Sequence, residues 1–146
     1  MDSGHLTHLV GCGAYLFDAR GRMLLLLRAT PPEVWAPPGG RLHCEEDPIV
    51  GLKREVREEC GLEIEVLGIA GVWFGRQAEG FPPLLALDHV ARRTGGRVRL
   101  SEEHRDYQWV TRQQIESGEV VTVNEKGQGY IKSELLKAFD LYNQWK

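Results

Sequence analysis

The sequence predicts an α/β protein in which a mixed β-sheet is sandwiched between helices, and three stretches carry that prediction. Met23 to Leu27 is a run of five apolar residues, and such a run asks for burial on both faces, as in a sheet covered by helices. A helix in the middle of the chain is marked at both ends. Asp47 is a good N-cap, Pro48 suits the first helical position, and Gly61 suits the position just past the last turn. A last helix runs from about Tyr130 to Trp145, with Ile131, Leu135, Leu136 and Phe139 as an apolar stripe that belongs to the core. Strands with one helix among them and one at the end fit a layered α/β arrangement.

The other elements follow in order. His5 to Phe17 is largely apolar and ends at the turn-rich Asp18-Ala19-Arg20-Gly21-Arg22, so it forms a hairpin with Met23–Arg28. Thr30-Pro31-Pro32 is loop, and the prolines of Trp35 to Gly40 stop any regular element there. Gly39 and Gly40 let backbone approach a ligand closely or turn with positive φ. Glu63 to Gly75 reads as a long strand, Arg76 to Pro83 as a loop, and Leu84 to Arg93 as another strand. Thr94-Gly95-Gly96 turns the chain toward Arg97–Leu100. Ser101 to Asp106 is an acidic loop before a short strand, Tyr107 to Thr111. A short helix covers Arg112 to Gly118, and Asn124 to Gly129 is a loop.

At 146 residues the chain is expected to be one domain, 1–146, large enough to bury about two-thirds of its unfolded surface. Its net charge of −3 offers no basic field for nucleic acid or an anionic membrane. The longest apolar run is far too short to span a bilayer. The N-terminal MDSGHLTHLVGCG has no basic stretch followed by an apolar one, so no secretory signal is expected. Cys12, Cys44 and Cys60 are odd in number and form no CxxC pair; they read as reduced thiols of a cytoplasmic protein.

The chemistry concentrates on the central helix. Glu55, Glu58 and Glu59 fall within one turn, beside an apolar stripe of Ile49, Leu52, Val56 and Cys60, with Glu59 at the border. Like charges at that spacing repel, and partial burial strengthens the repulsion. A hard divalent cation with oxygen ligands offsets it most simply. A solvated acidic face is the alternative.

The stretch from Gly40 to Leu62 resembles the signature of the Nudix hydrolase family. Gly40, Glu46, Arg54-Glu55-Val56, Glu58-Glu59 and Gly61-Leu62 fill every fixed position of that pattern. The resemblance implies a Nudix-type fold and Mg²⁺-dependent hydrolysis of a phosphoanhydride, with Mn²⁺ as a possible substitute. It makes Glu55, Glu58 and Glu59 the metal ligands, with the Gly40 carbonyl in addition. Arg54 and Glu46 resemble the family's ion pair that orients the carboxylates, although Arg54 equally allows a surface pair with Glu58. Members differ in which carboxylate is the general base. In Ser101-Glu102-Glu103-His104, Glu103 is a further ligand, the base, or part of a solvated turn, and His104 a hydrogen-bonding partner rather than a ligand. Two residues depart from the commoner pattern: His43 replaces a frequent Glu, and Glu45 replaces a frequent Gly that matters if the position needs positive φ.

Substrate signals are sparser. Asn124, followed by Glu125, resembles an Asn that reads a purine edge in the branch that cleans oxidised dGTP, and is otherwise a turn residue. Arg28 could approach a phosphate or ribose, and Trp35, Trp73, Phe74 or Phe81 could stack on a base. The expected activity is a nucleoside triphosphate pyrophosphohydrolase of the MutT type. The alternatives are a hydrolase of ADP-ribose or a nucleotide sugar, or a non-catalytic nucleotide sensor. The expected partner is a small nucleotide, with the protein a monomer or homodimer.

Overall fold

A computed structural model describes residues 6–76 and 79–146. His5, the expected start of the first strand, and Gln77 and Ala78 of the loop before Leu84 lie outside the described residues. Strands β1 (Leu9–Phe17), β2 (Met23–Arg28), β3 (Trp35–Ala36) and β4 (Gly39–Arg41) precede helix α1 (Pro48–Cys60). Strands β5 (Leu62–Gly75), β6 (Leu84–Gly96) and β7 (His104–Val110) follow, then α2 (Arg112–Glu116) and α3 (Lys132–Trp145). The sheet is ordered β3-β2-β1-β6-β5, with β4 on β1 and β7 on β2. The β1–β6 pair is parallel and the others antiparallel, so the sheet is mixed.

Alternation along the two central strands sorts the core into two layers. Cys12, Ala14 and Leu16 of β1 and Leu24 and Leu26 of β2 pack under Leu52, Val56 and Cys60 of α1. Tyr15 and Phe17 of β1, with Met23 and Leu25 of β2, pack on the other face against Leu135, Ala138 and Phe139 of α3. There Phe17 stacks on Tyr142 with ring centroids 4.2 Å apart and meets Phe139 edge-on at 5.1 Å. Met23 to Leu26 of the run are thus buried because each face has its own helix, and Leu27 at its end is half-buried.

The β1–β2 hairpin opens as it leaves its turn. The two strands pair only at Phe17 and Met23. Farther along, β3 takes over the inner edge of β2, and β4 takes over the inner edge of β1. The segment from Trp35 to Arg41 therefore fills a fork between the strands. This corrects the expectation that its prolines leave it irregular: Pro37 and Pro38 interrupt it, but two short strands form on either side. Gly39 makes the fit possible, since a Cβ there would lie 2.4 Å from the Cys12 carbonyl oxygen.

Other boundaries shift for related reasons. Strand β6 runs through the expected turn to Gly96 because Leu62 pairs with it, and β7 begins at His104 because Arg28 does. Helix α3 starts at Lys132, and Ile131 and Ile49, expected in apolar stripes, are exposed at 49% and 40%. Both sit at the outer ends of their helices, beyond the core clusters.

Glu45 is the one non-glycine among the described residues with positive φ, at 63°. The loop before α1 thus keeps a left-handed turn where the side chain disfavours it, at a cost of about 1–2 kcal/mol. Glu45→Gly is expected to raise unfolding stability by about 0.5–1 kcal/mol, less than the full strain because glycine also loosens the unfolded chain. Chemical denaturation checks this, and a fall in stability would show that Glu45 makes compensating contacts. Leu25→Ala and Leu26→Ala remove buried side chains on opposite faces, and each is expected to cost about 2–5 kcal/mol in the same assay.

Candidate active site

The fork, the last two turns of α1 and the start of β7 converge. Asp47 accepts from the backbone N–H groups of Ile49 and Val50, fixing where α1 begins, and Gly61 ends it at φ 73°. Those ends set the rotation that turns Glu59 toward the sheet, where it is 3% exposed. Gly40 sits against the neighbouring Glu55, and a Cβ on it would lie 2.4 Å from the Glu55 carboxylate. A side chain at the second glycine of the pair would therefore displace the Glu55 carboxylate from its place beside Arg54.

Four groups face one another here. The Gly39 N–H donates to Glu59 Oε2 at 3.5 Å, and His104 Nδ1 stands 3.7 Å from the same oxygen. Ligand atoms of Glu59, Glu103 and His104 all lie within 4.8 Å of one another. Burial, with Glu55 and Glu103 nearby, pushes the Glu59 carboxyl up to about 9. Burial also lowers the His104 imidazole below its usual range. Without a cation, then, both groups are neutral at pH 7, and their contact is not an ion pair. Glu59 Oε1 and His104 Nδ1 are buried without any hydrogen-bond partner. Buried polar atoms are rarely left so. A divalent cation fits the donor set: the carboxylates of Glu59 and Glu103 would hold it, and its charge would remove the cost of ionising Glu59.

Arg54 organises the outer side. Its Nε and Nη2 grip Glu46 at 2.8 and 2.9 Å, and its Nη1 donates to Glu55 at 3.0 Å and Glu58 at 3.1 Å. The ion pair with Glu46 and the i,i+4 pair with Glu58 thus coexist. Arg54 holds the Glu46 carboxyl down at about 2, helped by the His43 N–H, which donates at 3.0 Å.

The sequence-predicted residues separate accordingly. Glu59 and Glu103 come together, Glu55 adjoins them, and His104 stands with the carboxylates rather than apart from them. Glu58 lies outside the cluster on Arg54, with its side chain 59% exposed. A cleft of 390 Å³ opens over the cluster, lined by Arg28, Thr30, Gly39, Glu59, Glu103 and His104. Arg28 donates to the Pro32 carbonyl at 3.1 Å and so is held at the rim. Trp35 packs against the α3-side core. Asn124 spends its amide oxygen on the N–H groups of Lys126 and Gln128, closing its own loop. Trp73, Phe74 and Phe81 are exposed and do not line the cleft. Sequence reasoning missed Asp88, a buried carboxyl pushed up to about 6 by burial and by Glu134. Its signal is a lone acid within the apolar Leu84–Ala91. Cys12 and Cys60 are buried and raised to about 12 by that burial, hence inert.

Comparison with known proteins places this arrangement. The family model of the NUDIX domain matches residues 7–130. A MutT-like protein of Streptomyces ambofaciens is 32% identical over 108 residues, which is 74% of this chain and 67% of that protein. An RNA pyrophosphohydrolase of Rhodospirillum rubrum is 33% identical over 76 residues, 51% of this chain and 46% of that one. The chain thus spans about half the length of that second relative. The crystal structure of the MutT protein from Methanosarcina mazei Go1 superposes with a TM-score of 0.73 at 26% identity, covering 96% of this chain and 98% of the other.

The raised Glu59 carboxyl has a sign that can be measured. Between pH 7 and pH 9 the unfolded chain has already released this proton, whereas the folded chain holds it up to about 9. Folding therefore takes up a proton, and stability falls as pH rises. The His104 imidazole is neutral in both states across that window. In chelator, the melting temperature is expected to fall from pH 7 to 9 and to fall less steeply in Glu59→Gln, which keeps only the contribution of the buried Cys12 and Cys60 thiols near pH 9; Mg²⁺ is expected to raise it and reduce the slope. Parallel profiles with and without Mg²⁺ would separate the cluster from cation binding.

Proposed function

The chain belongs to the Nudix family of hydrolases, and from that premise we propose that it cleaves the phosphoanhydride bond of a nucleoside triphosphate with Mg²⁺ at Glu59, Glu103 and Glu55. The observation that carries this reading is the orphaned buried oxygen Glu59 Oε1, grouped with Glu103 and His104 at a cleft that Gly39 also lines. Glu58 and the Gly40 carbonyl complete the ligand set that the family signature implies, and Mn²⁺ is the natural substitute. Water adds to one phosphorus, the bond to the bridging oxygen breaks, and a nucleoside monophosphate and pyrophosphate leave.

The chain's own residues divide the work. When bound, a divalent cation here neutralises phosphoryl oxygens and acidifies a water. Glu59 would hold the cation in its ionised form, with its proton released to solvent. Arg54 holds Glu55 and Glu58 at fixed distances and is itself held by Glu46, so the carboxylates need little rearrangement. Arg28 at the rim meets negative charge on the substrate. Glu103, exposed at the mouth, either adds to the ligands or, where it does not, accepts a proton from the attacking water. We place this chemistry in a single-domain cytoplasmic protein. All three cysteines are free, and among the described residues no helix is long and apolar enough to cross a membrane.

A second reading extends the substrate to the 5′-triphosphate of an RNA strand. It is favoured by a nearby basic groove and by the RNA pyrophosphohydrolase among the relatives.

Phosphate and pyrophosphate release from normal and 8-oxo nucleoside triphosphates, ADP-ribose, nucleotide sugars and dinucleoside polyphosphates tests the proposal. Glu59→Gln is expected to cut metal-dependent turnover by about 100-fold or more. Glu46→Gln is expected to raise the half-saturating Mg²⁺ concentration about 10–100-fold with the fold intact, as loss of a ligand-orienting partner does. Nucleotides that raise the melting temperature without being cleaved would identify a sensor instead.

A further inference from the structure

A second concavity, of 500 Å³, lies at the other end of the α1 side of the sheet, lined by Arg20, Arg22, Arg93, Arg97, Asp18 and Trp109. Four arginines and one carboxylate line it, on a chain whose net charge is −3. Asp18 is already committed. Its Oδ1 accepts the N–H groups of Arg20 and Arg22, and its Oδ2 accepts Arg22 Nε at 2.8 Å. It therefore shapes the β1–β2 turn and points Arg22, rather than neutralising the groove. Among the described residues, Arg20, Arg93 and Arg97 have no carboxylate within 4.0 Å. Arg93 instead donates to the Gly96 carbonyl, which holds its head at the rim. Clustered cations without counter-ions repel one another, and a multiply charged anion relieves that repulsion.

Two routes join this groove to the catalytic cleft. Strand β7 begins at His104 in the cleft and carries Trp109 in the groove. The five residue steps from one to the other span about 17 Å at about 3.4 Å per residue. Tyr107, 42% exposed, lies between them on the same face as Trp109. The segment from Arg97 to Ser101 is the second route. It is tied to the end of α1 by Arg99 N–H donating to the Cys60 carbonyl and Ser101 N–H donating to that of Glu59, and it leads into Glu102 and Glu103. Arg99 is exposed along it.

We infer that the arginine groove binds the phosphodiester backbone of a single strand whose 5′ end occupies the catalytic cleft. This rests on the second substrate reading above and adds a site to it. Arginines matched to phosphates and aromatic rings along the path are the usual means of holding a single strand without reading its sequence. The net charge of −3 excludes a broad basic field but not a local one. The span is one that a strand of a few nucleotides covers, whereas a mononucleotide in the cleft does not reach the groove.

The test compares the wild type with Arg20→Gln/Arg93→Gln/Arg97→Gln and with the corresponding triple Lys variant, all with Mg²⁺. Substrates are a nucleoside triphosphate and an eight-nucleotide RNA with a 5′-triphosphate. The same RNA with a 5′-hydroxyl is followed by fluorescence anisotropy, which needs no catalysis. The Gln variant is expected to raise the KM for the strand about tenfold or more with kcat unchanged, and to leave the nucleoside triphosphate unaffected. The slope of log affinity against log salt is expected to fall by about 2, at about 0.7 for each phosphate that is no longer neutralised. The Lys variant, which keeps the charge, is expected to restore most of the salt dependence. An unchanged KM for the strand, or an equal loss on both substrates, overturns the proposal. So does groove-dependent binding of inorganic tripolyphosphate with no effect on the strand, which would mark a site for a free polyphosphate. If the wild type cleaves neither substrate, the substrate reading fails, while arginine-dependent binding of the 5′-hydroxyl strand still upholds the groove.

Discussion

A carboxylate held at 3% exposure beside two others is the constraint on which the rest of the site depends. Glu59 is ionised only if something positive reaches it, because burial and the neighbouring Glu55 and Glu103 all favour the protonated form. Among the described residues, no lysine or arginine forms a salt bridge with Glu59. Arg54 is spent on Glu46, Glu55 and Glu58, Arg28 is held at the rim by the Pro32 carbonyl, and the neighbouring imidazole, His104, is itself kept neutral by burial. The free energy that would stabilise an internal ion pair is thus left for whatever enters the cleft. Any cation bound there would be coupled to the proton of one carboxyl group, that of Glu59.

The fold makes this constraint possible through its fork. If β1 and β2 stayed paired along their length, the sheet would be closed where the cleft now lies. They separate after one pair, and the Trp35–Arg41 segment fills the opening with backbone rather than bulk. Gly39 meets the β1 backbone with no room for a Cβ, and Gly40 leaves the space that the Glu55 carboxylate occupies. The two hydrophobic layers hold the halves of the fork apart, since each central strand is anchored to α1 through one set of side chains and to α3 through the other.

Charge is distributed with a similar division. Acidic groups concentrate at the cleft, and arginines without carboxylate partners concentrate about one strand-length away, with Trp109 and Tyr107 between or beside them. A near-neutral overall balance conceals that polarity. The Arg54 cluster differs from the groove in kind: its guanidinium is bidentate to Glu46 and fully used, so it orients, whereas Arg20, Arg93 and Arg97 remain available.

The layered α/β architecture, the helices and the family signature were legible in the sequence. These are local matters: an apolar run needs two covered faces, an Asp-Pro pair starts a helix, a glycine ends one, and carboxylates three and four apart share a helix face. Glu59 at the border of polar and apolar stripes already indicated a half-buried acid. What the sequence left open was decided by pairings distant along the chain. Gly39–Arg41 became a strand because Gly11–Gly13 offered an edge, and His104 joined the cluster because pairing with Arg28 extended β7 back into the expected loop. Glu58 was set aside on Arg54, although its spacing matched that of Glu55 and Glu59, because rotation about the α1 axis is governed by packing on the sheet. The groove was invisible for the same reason. Arg20, Arg93 and Arg97 are far apart in sequence, and only the parallel pairing of β1 with β6 brings the ends of those strands together.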